Sequence, residues 1–131
     1  MAEFLSAAWI AELDAAARSA GDVVADAPLV VEQVVRDAGP DGIARYQVRI
    51  GRRGVSVTVD TSESADVVLV TDRAAARAMH EGSLRAQDAL ARGALKVRGR
   101  ADLLAGNAHV FARLDAAFAP VRARTTFGGG R

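Results

Sequence analysis

Two histidines and one tyrosine, with no cysteine, are the side chains of this 131-residue protein best suited to acid–base or nucleophilic work. His80 precedes Glu81 at the predicted end of a short helix, where a cation interacts well with the terminal carbonyls, so a surface or capping role is expected. His109 falls on the predicted side of a later helix opposite Leu104 and Phe111, toward solvent. Two histidines without a third clustered ligand make a poor metal site, and no metal is expected. Tyr46 could polarise a carbonyl only beside a proton-abstracting acid in an apolar pocket. The carboxylates of Asp41, Asp60, Glu63, Asp72 and Glu81 fall instead at helix starts, turns or wet faces, while Glu12 and Asp14 sit on different helix faces. No nucleophile elbow, phosphate loop, dinucleotide fingerprint or His-Glu-x-x-His occurs. The expectation is no catalytic residue, no cofactor and no enzyme.

Charge narrows the partners. Seventeen Lys and Arg against sixteen Asp and Glu leave a formal charge of +1, spread along the chain, which argues against nucleic acid as a partner. The adjacent basic pair Arg52-Arg53 lies between Gly51 and Gly54, as a solvated hairpin tip would, with an anionic lipid or phosphate contact as the sharper reading. Half the residues are apolar and a quarter charged, as in a soluble globular domain. Without cysteine there is no disulfide framework, in keeping with a reducing cytoplasm. The N-terminus lacks a signal-like pattern, no apolar run approaches a membrane span, and the final Arg131 is not a Ser-Lys-Leu address, so a cytoplasmic location is expected.

The elements that must position any site are clearest over residues 65 to 99. Residues 65 to 71 form a nearly continuous apolar, β-branched run that suits a strand covered on both faces. Asp72 can cap a helix starting at Arg73, and Gly82 can close it in the left-handed conformation. Ser83 reads as the cap of a second helix with Leu84, Ala86, Ala89 and Leu90 on its apolar face, ended by Gly93. Leu95 and Val97 then return as a strand to Gly99.

This series, with Asp66, Gly82, Leu84, Ala89, Gly93, Leu95, Val97 and Gly99 at its nodes, resembles the signature of the sterol carrier protein 2 family. The resemblance implies a small lipid-binding domain in which a sheet and a helical cover enclose an apolar cavity. It is sharpest over residues 65 to 99, and the order of elements extends it to about nine tenths of the chain. Ala86 replaces a frequent proline, Ala91 a bulkier side chain and Ala94 a frequent lysine, departures that bear on ligand and cavity volume more than on fold.

Elsewhere, periodicity predicts a helix over residues 3 to 19 carrying Leu5, Ala8, Trp9, Leu13 and Ala16 on one side, with Gly21 as its stop. A strand over 29 to 37 carries apolar residues on both faces. A strand over 43 to 50 alternates Ala44, Tyr46, Val48 and Ile50 with the water-facing Arg45, Gln47 and Arg49, and a third strand carries Val55, Val57 and Val59. A last helix is predicted from about 100 to 119, with Pro120 ending or kinking it and Gly106-Asn107 marking a bend or a yielding point. The fold class expected is α+β: about five mostly antiparallel strands, helices covering one face, and an apolar cavity between them. Residues 1–124 would form a single domain and 125–131 a flexible Gly-rich tail, within which Phe127 could plug the opening.

The function this favours is noncatalytic binding or transfer of an apolar small molecule, such as a sterol or fatty acyl chain, with at most transient membrane contact. Burying about eight methylenes at ~0.8 kcal/mol each gains roughly 6 kcal/mol before association costs. Inward stripes nominate Trp9, Leu13, Val70, Met79, Leu84, Leu90, Leu104, Val110, Phe111, Leu114 and Phe118 as lining, each of which could equally be ordinary core. Gln87, Asn107 and Arg73 are the polar candidates at the mouth. The alternative function is a protein-interaction module, or homodimer, with the same fold and a closed cavity.

Overall fold

The computed structural model describes residues 2–21, 23–39 and 42–127. A short strand β1 (Ala2–Glu3) and helix α1 (Ala7–Ser19) are followed by strands β2 (Leu29–Arg36), β3 (Arg45–Gly51), β4 (Gly54–Thr58) and β5 (Val67–Asp72). Then come α2 (Arg73–Glu81), α3 (Ala86–Ala91), β6 (Leu95–Gly99), α4 (Ala101–Gly106), α5 (Ala108–Arg124) and β7 (Thr125–Thr126). Strands two to six make one sheet in the order β4-β3-β2-β5-β6, and β1 pairs in parallel with β7. All neighbours in the larger sheet are antiparallel except β2 and β5. The α+β class and the five-stranded, mostly antiparallel sheet are as expected.

Register shows why the pattern in β2 was apolar on both sides. Leu29, Val31, Gln33 and Val35 share the helix-covered face with Val48, Ile50, Val55, Val57 and Val67, where α1 and α5 complete the core with Trp9, Ile10, Leu13, Val110, Leu114 and Val121. The central position of β2 leaves Val30 and Val34 half-buried on the outer face as well. α1 is fastened to the edge strand β4, where the Val57 N–H donates to Asp14 Oδ1 at 2.8 Å.

The glycine-punctuated segment follows local rules. Asp72 accepts from the Ala75 N–H at 2.8 Å and so caps α2, and Gly82 closes that helix at φ 84°. Asp66 binds β5 to β2 from both sides of its peptide: its Oδ2 accepts from the Val30 N–H at 2.8 Å and its own N–H donates to the Val30 carbonyl at 2.9 Å. Its carbonyl accepts from the Arg100 N–H, also at 2.8 Å. Gly99, at φ 85°, passes so close that a Cβ there would stand 2.5 Å from the Asp66 oxygen.

Several expected boundaries are corrected. α1 begins at Ala7, capped by Ser6, because Ala2–Glu3 is drawn into pairing with Thr125–Thr126 and Leu5 turns the chain at φ 64°. Ser83 closes α2 by donating to the Ala78 carbonyl and caps nothing, so α3 starts only at Ala86. The last helix is two helices that meet at Asn107, whose amide donates to the Leu103 carbonyl at 2.8 Å while its own carbonyl starts α5. Pro120 lies inside α5, which continues to Arg124. Gln47 is fully buried, because the β4–β5 link folds over it and the Glu63 carbonyl accepts from its amide. Thr125 to Phe127, expected to begin a flexible tail, pair and pack; residues 128–131 lie outside the described residues.

Candidate ligand-binding site

Alternation and register divide the helix-covered face of the sheet into rows that run across the strands. Val57, Val48, Val31 and Val67 form one row, and none keeps more than 6% of its surface. Val35, Thr71 and Leu95 form another, sealed at 3%, 2% and 6%. Between them Tyr46, Gln33, Leu69 and Val97 align on β3, β2, β5 and β6, and all four are only half-buried. The centre of a sheet under helices is where packing should be tightest. This row, which runs from β3 to the edge strand β6, keeps more surface than the two rows beside it.

The cover over this side has the same character. Ala76 of α2, Leu103 and Leu104 of α4, and Phe111 and Phe118 of α5 pack on the core yet stay half-buried. Trp9 of α1 meets Tyr46 edge-on at 5.9 Å between ring centroids. The Trp9 indole N–H is buried with no hydrogen-bond partner among the described residues. Burial pushes the Tyr46 hydroxyl well above the usual phenol range.

An aromatic clasp closes one end. Phe4 stacks on His80 at 5.3 Å and meets Phe127 at 5.2 Å, and the Arg77 guanidinium lies 4.3 Å from the Phe127 ring centroid. The Thr125 hydroxyl donates to the Val121 carbonyl, so it accepts from His80 Nε2, 2.9 Å away, which fixes the neutral imidazole with its proton on Nε2. Burial, aided by the nearby Arg122 cation and opposed by Glu81 and Asp115, pulls the His80 pKa down to about 4. His80 is thus an internal clasp residue; His109 is exposed, as expected.

The nominated lining residues divide by position. Trp9, Leu13, Val110 and Leu114 are buried core, and Leu104, Phe111 and Phe118 are the half-buried cover. Met79 and Leu84 are half-buried, with Leu84 ahead of α3 rather than on it. Leu90 is 45% exposed and Val70 points to the outer face beside Val34 and Lys96; neither belongs to the lane. Counting from Val67, the parity of β5 assigns Leu69, not Val70, to the covered side. The polar candidates are elsewhere too: Gln87 is exposed, Asn107 is spent on Leu103, and Arg73 lies over Phe4 and donates to the Ala38 carbonyl. Sequence reasoning missed Gln33, although its place between Val31 and Val35 was the signal. Two open clefts of about 690 and 620 Å³, beside Arg36 and Arg45 and beside Arg18 and Arg53, include none of the nominated lining residues. Among the described residues no group of acidic, histidine or cysteine side chains could hold a metal, and no helix is long and apolar enough to cross a membrane.

The chain matches no protein-family model and no curated protein. Solved structures do match. The crystal structure of sterol carrier protein 2 aligns over 92% of this chain and 97% of its own at 22% identity, with a TM-score of 0.56. The chain has the sterol carrier protein 2 fold. A conserved hypothetical protein from Thermus thermophilus shares this sterol carrier fold with a TM-score of 0.57 at 23% identity, over 91% of this chain and 90% of that one. The palmitated SCP2L2 of Aedes aegypti, solved in solution, aligns at 25% identity over 80% of this chain and 93% of its own, with a TM-score of 0.54. The sterol-carrier resemblance of residues 65 to 99 therefore extends to the architecture.

Proposed function

We propose that this protein is a noncatalytic binder or carrier of a lipid-like apolar molecule, held between the helices and the lane of Tyr46, Gln33, Leu69 and Val97. The carrying observation is the lane itself: four aligned positions, running from β3 across β2 and β5 to the edge strand β6, keep accessible surface between two sealed rows. An acyl or sterol-like chain lying there would bury the exposed parts of Leu69, Val97, Leu104, Phe111 and Phe118, with the gain proportional to apolar area removed from water. The palmitated Aedes protein of the same fold supports an acyl chain as one such ligand. A balanced net charge suits a carrier that touches membranes only transiently, and the absence of cysteine suits a cytoplasmic one. Residues 2–127 act in this reading as one domain.

Native mass spectrometry of the purified protein, followed by organic extraction, tests the reading together with displacement of a fluorescent fatty-acid probe. A copurifying apolar molecule or saturable displacement is the expected result. An empty protein blind to the probe overturns it, and a dimer in that state points to an interaction module instead.

A further inference from the structure

Polar groups interrupt the apolar lane at one end, and their side chains have no hydrogen-bond partner among the described residues. Gln33 occupies the covered face of the central strand directly opposite Tyr46, its cross-strand partner on β3. Such partners carry their Cβ atoms about 5 Å apart. Neither the Gln33 amide nor the Tyr46 hydroxyl has a hydrogen-bond partner among the described residues, although both residues keep accessible surface. The Trp9 ring stands over Tyr46 with its indole N–H buried and unpaired. Of the three, only the Trp9 indole N–H is buried without a partner, which is unusual in an interior, where buried donors and acceptors are almost always satisfied; the Gln33 and Tyr46 polar groups keep accessible surface. A buried donor left unpaired is destabilising, so a ligand oxygen that accepts from the Trp9 N–H and bonds to the accessible Gln33 or Tyr46 groups would be held there.

We propose that Gln33, Tyr46 and Trp9 form a polar subsite that recognises an uncharged, oxygen-bearing head on the apolar ligand, of the alcohol, ester or amide class. This rests on the carrier reading and adds its selectivity. An alcohol oxygen can accept from the indole N–H, the Tyr46 hydroxyl or the Gln33 amide and donate to the Gln33 carbonyl, which together complete its bonding. A carboxylate suits the place poorly. The two cations of the aromatic clasp are engaged, Arg73 over Phe4 and with the Ala38 carbonyl, and Arg77 over Phe127 and with Glu81. His80 is neutral near pH 7 and already bonded to Thr125. A charge brought into this setting would be desolvated without a counter-ion.

Decanol, decane and decanoate share a chain and differ in the head, so their competition against the fluorescent probe at pH 7, corrected for aqueous solubility, isolates the subsite. Decanol should bind roughly tenfold more tightly than decane in the native protein, a ratio that falls to about twofold in Gln33→Leu and is reduced in Tyr46→Phe. The chain has a single tryptophan, so the indole N–H resonance can be followed without substitution, and it should shift with decanol but not with decane. Equal affinities for decanol and decane, or an unmoved indole resonance, overturn the subsite while leaving the carrier reading intact. Tighter binding of decanoate than of decanol overturns the uncharged class. Failure of all three to displace the probe overturns the carrier reading and the subsite with it.

Discussion

At the scale of single residues, Asp66 and His80 show two ways in which a side chain holds this fold. Asp66 is only half-buried, yet its carboxylate serves the Val30 amide and its backbone serves Val30 and Arg100. Asp66→Ala should cost about 1–3 kcal/mol in urea unfolding because it orphans the Val30 N–H, and Asp66→Asn should recover much of that through its amide oxygen. For His80 the folded pKa of about 4 lies below the ordinary 6.5, so the unfolded chain takes up the proton first as pH falls. Its effect is therefore full stability above pH 6.5 and progressive loss down to about 4. With solvent screening of its exposed edge, the loss is about 1–2 kcal/mol. Urea midpoints at pH 7 and pH 5 should converge in His80→Phe relative to the native protein, since phenylalanine keeps the stack on Phe4 and has no proton to gain. Asp66 was singled out in the sequence by its place in the motif, while its role came from the structure. The role of His80 was not readable there, since the residues that bury it, Phe4, Trp9 and Phe127, come from both ends of the chain.

Elements were legible where the signal is local. Asp72 and Gly82 bound α2 as expected, because a cap and a left-handed glycine act within one turn of the helix. Where tertiary partners compete, the local reading fails: the first turn expected of α1 became β1 once β7 was available to pair with it. Asn107 is the clearest case of a local signal with two readings. Its break separates α4 from α5, and Asn107→Ala should join them, raising helical circular dichroism and slowing amide exchange around Leu104. A charge-assisted bond adds to the apolar packing of α1 on β4, and Asp14→Ala should lower stability by about 1–2 kcal/mol. The same substitution leaves the Val57 amide on an edge strand without a partner.

Over the whole molecule, burial differs between the two halves of the sheet. α1 seals β3 and β4 through Trp9, Ile10 and Leu13, whereas the covers of β5 and β6 offer half-buried side chains. Filling the lane should separate binding from stability. On the carrier reading, Val97→Trp is expected to reduce fluorescent-probe affinity at least about tenfold while holding the unfolding midpoint or raising it, because the added apolar volume takes the place proposed for the ligand. A loss of several kcal/mol would mean that the region was already full.

By itself the sequence determined the fold class and most strand identities, because alternation, helix capping and left-handed glycines depend on neighbours a few positions away, while the resemblance of residues 65 to 99 implied the sterol-carrier architecture. It also nominated seven residues that the structure places in the core or its cover, since helical stripes show which side faces inward. Tertiary structure decided which row of the sheet remained accessible, which parity of β5 faced the helices, and that Gln33 stands opposite Tyr46 beneath Trp9. These depend on strand register and on contacts between distant segments, and no short-range pattern encodes them.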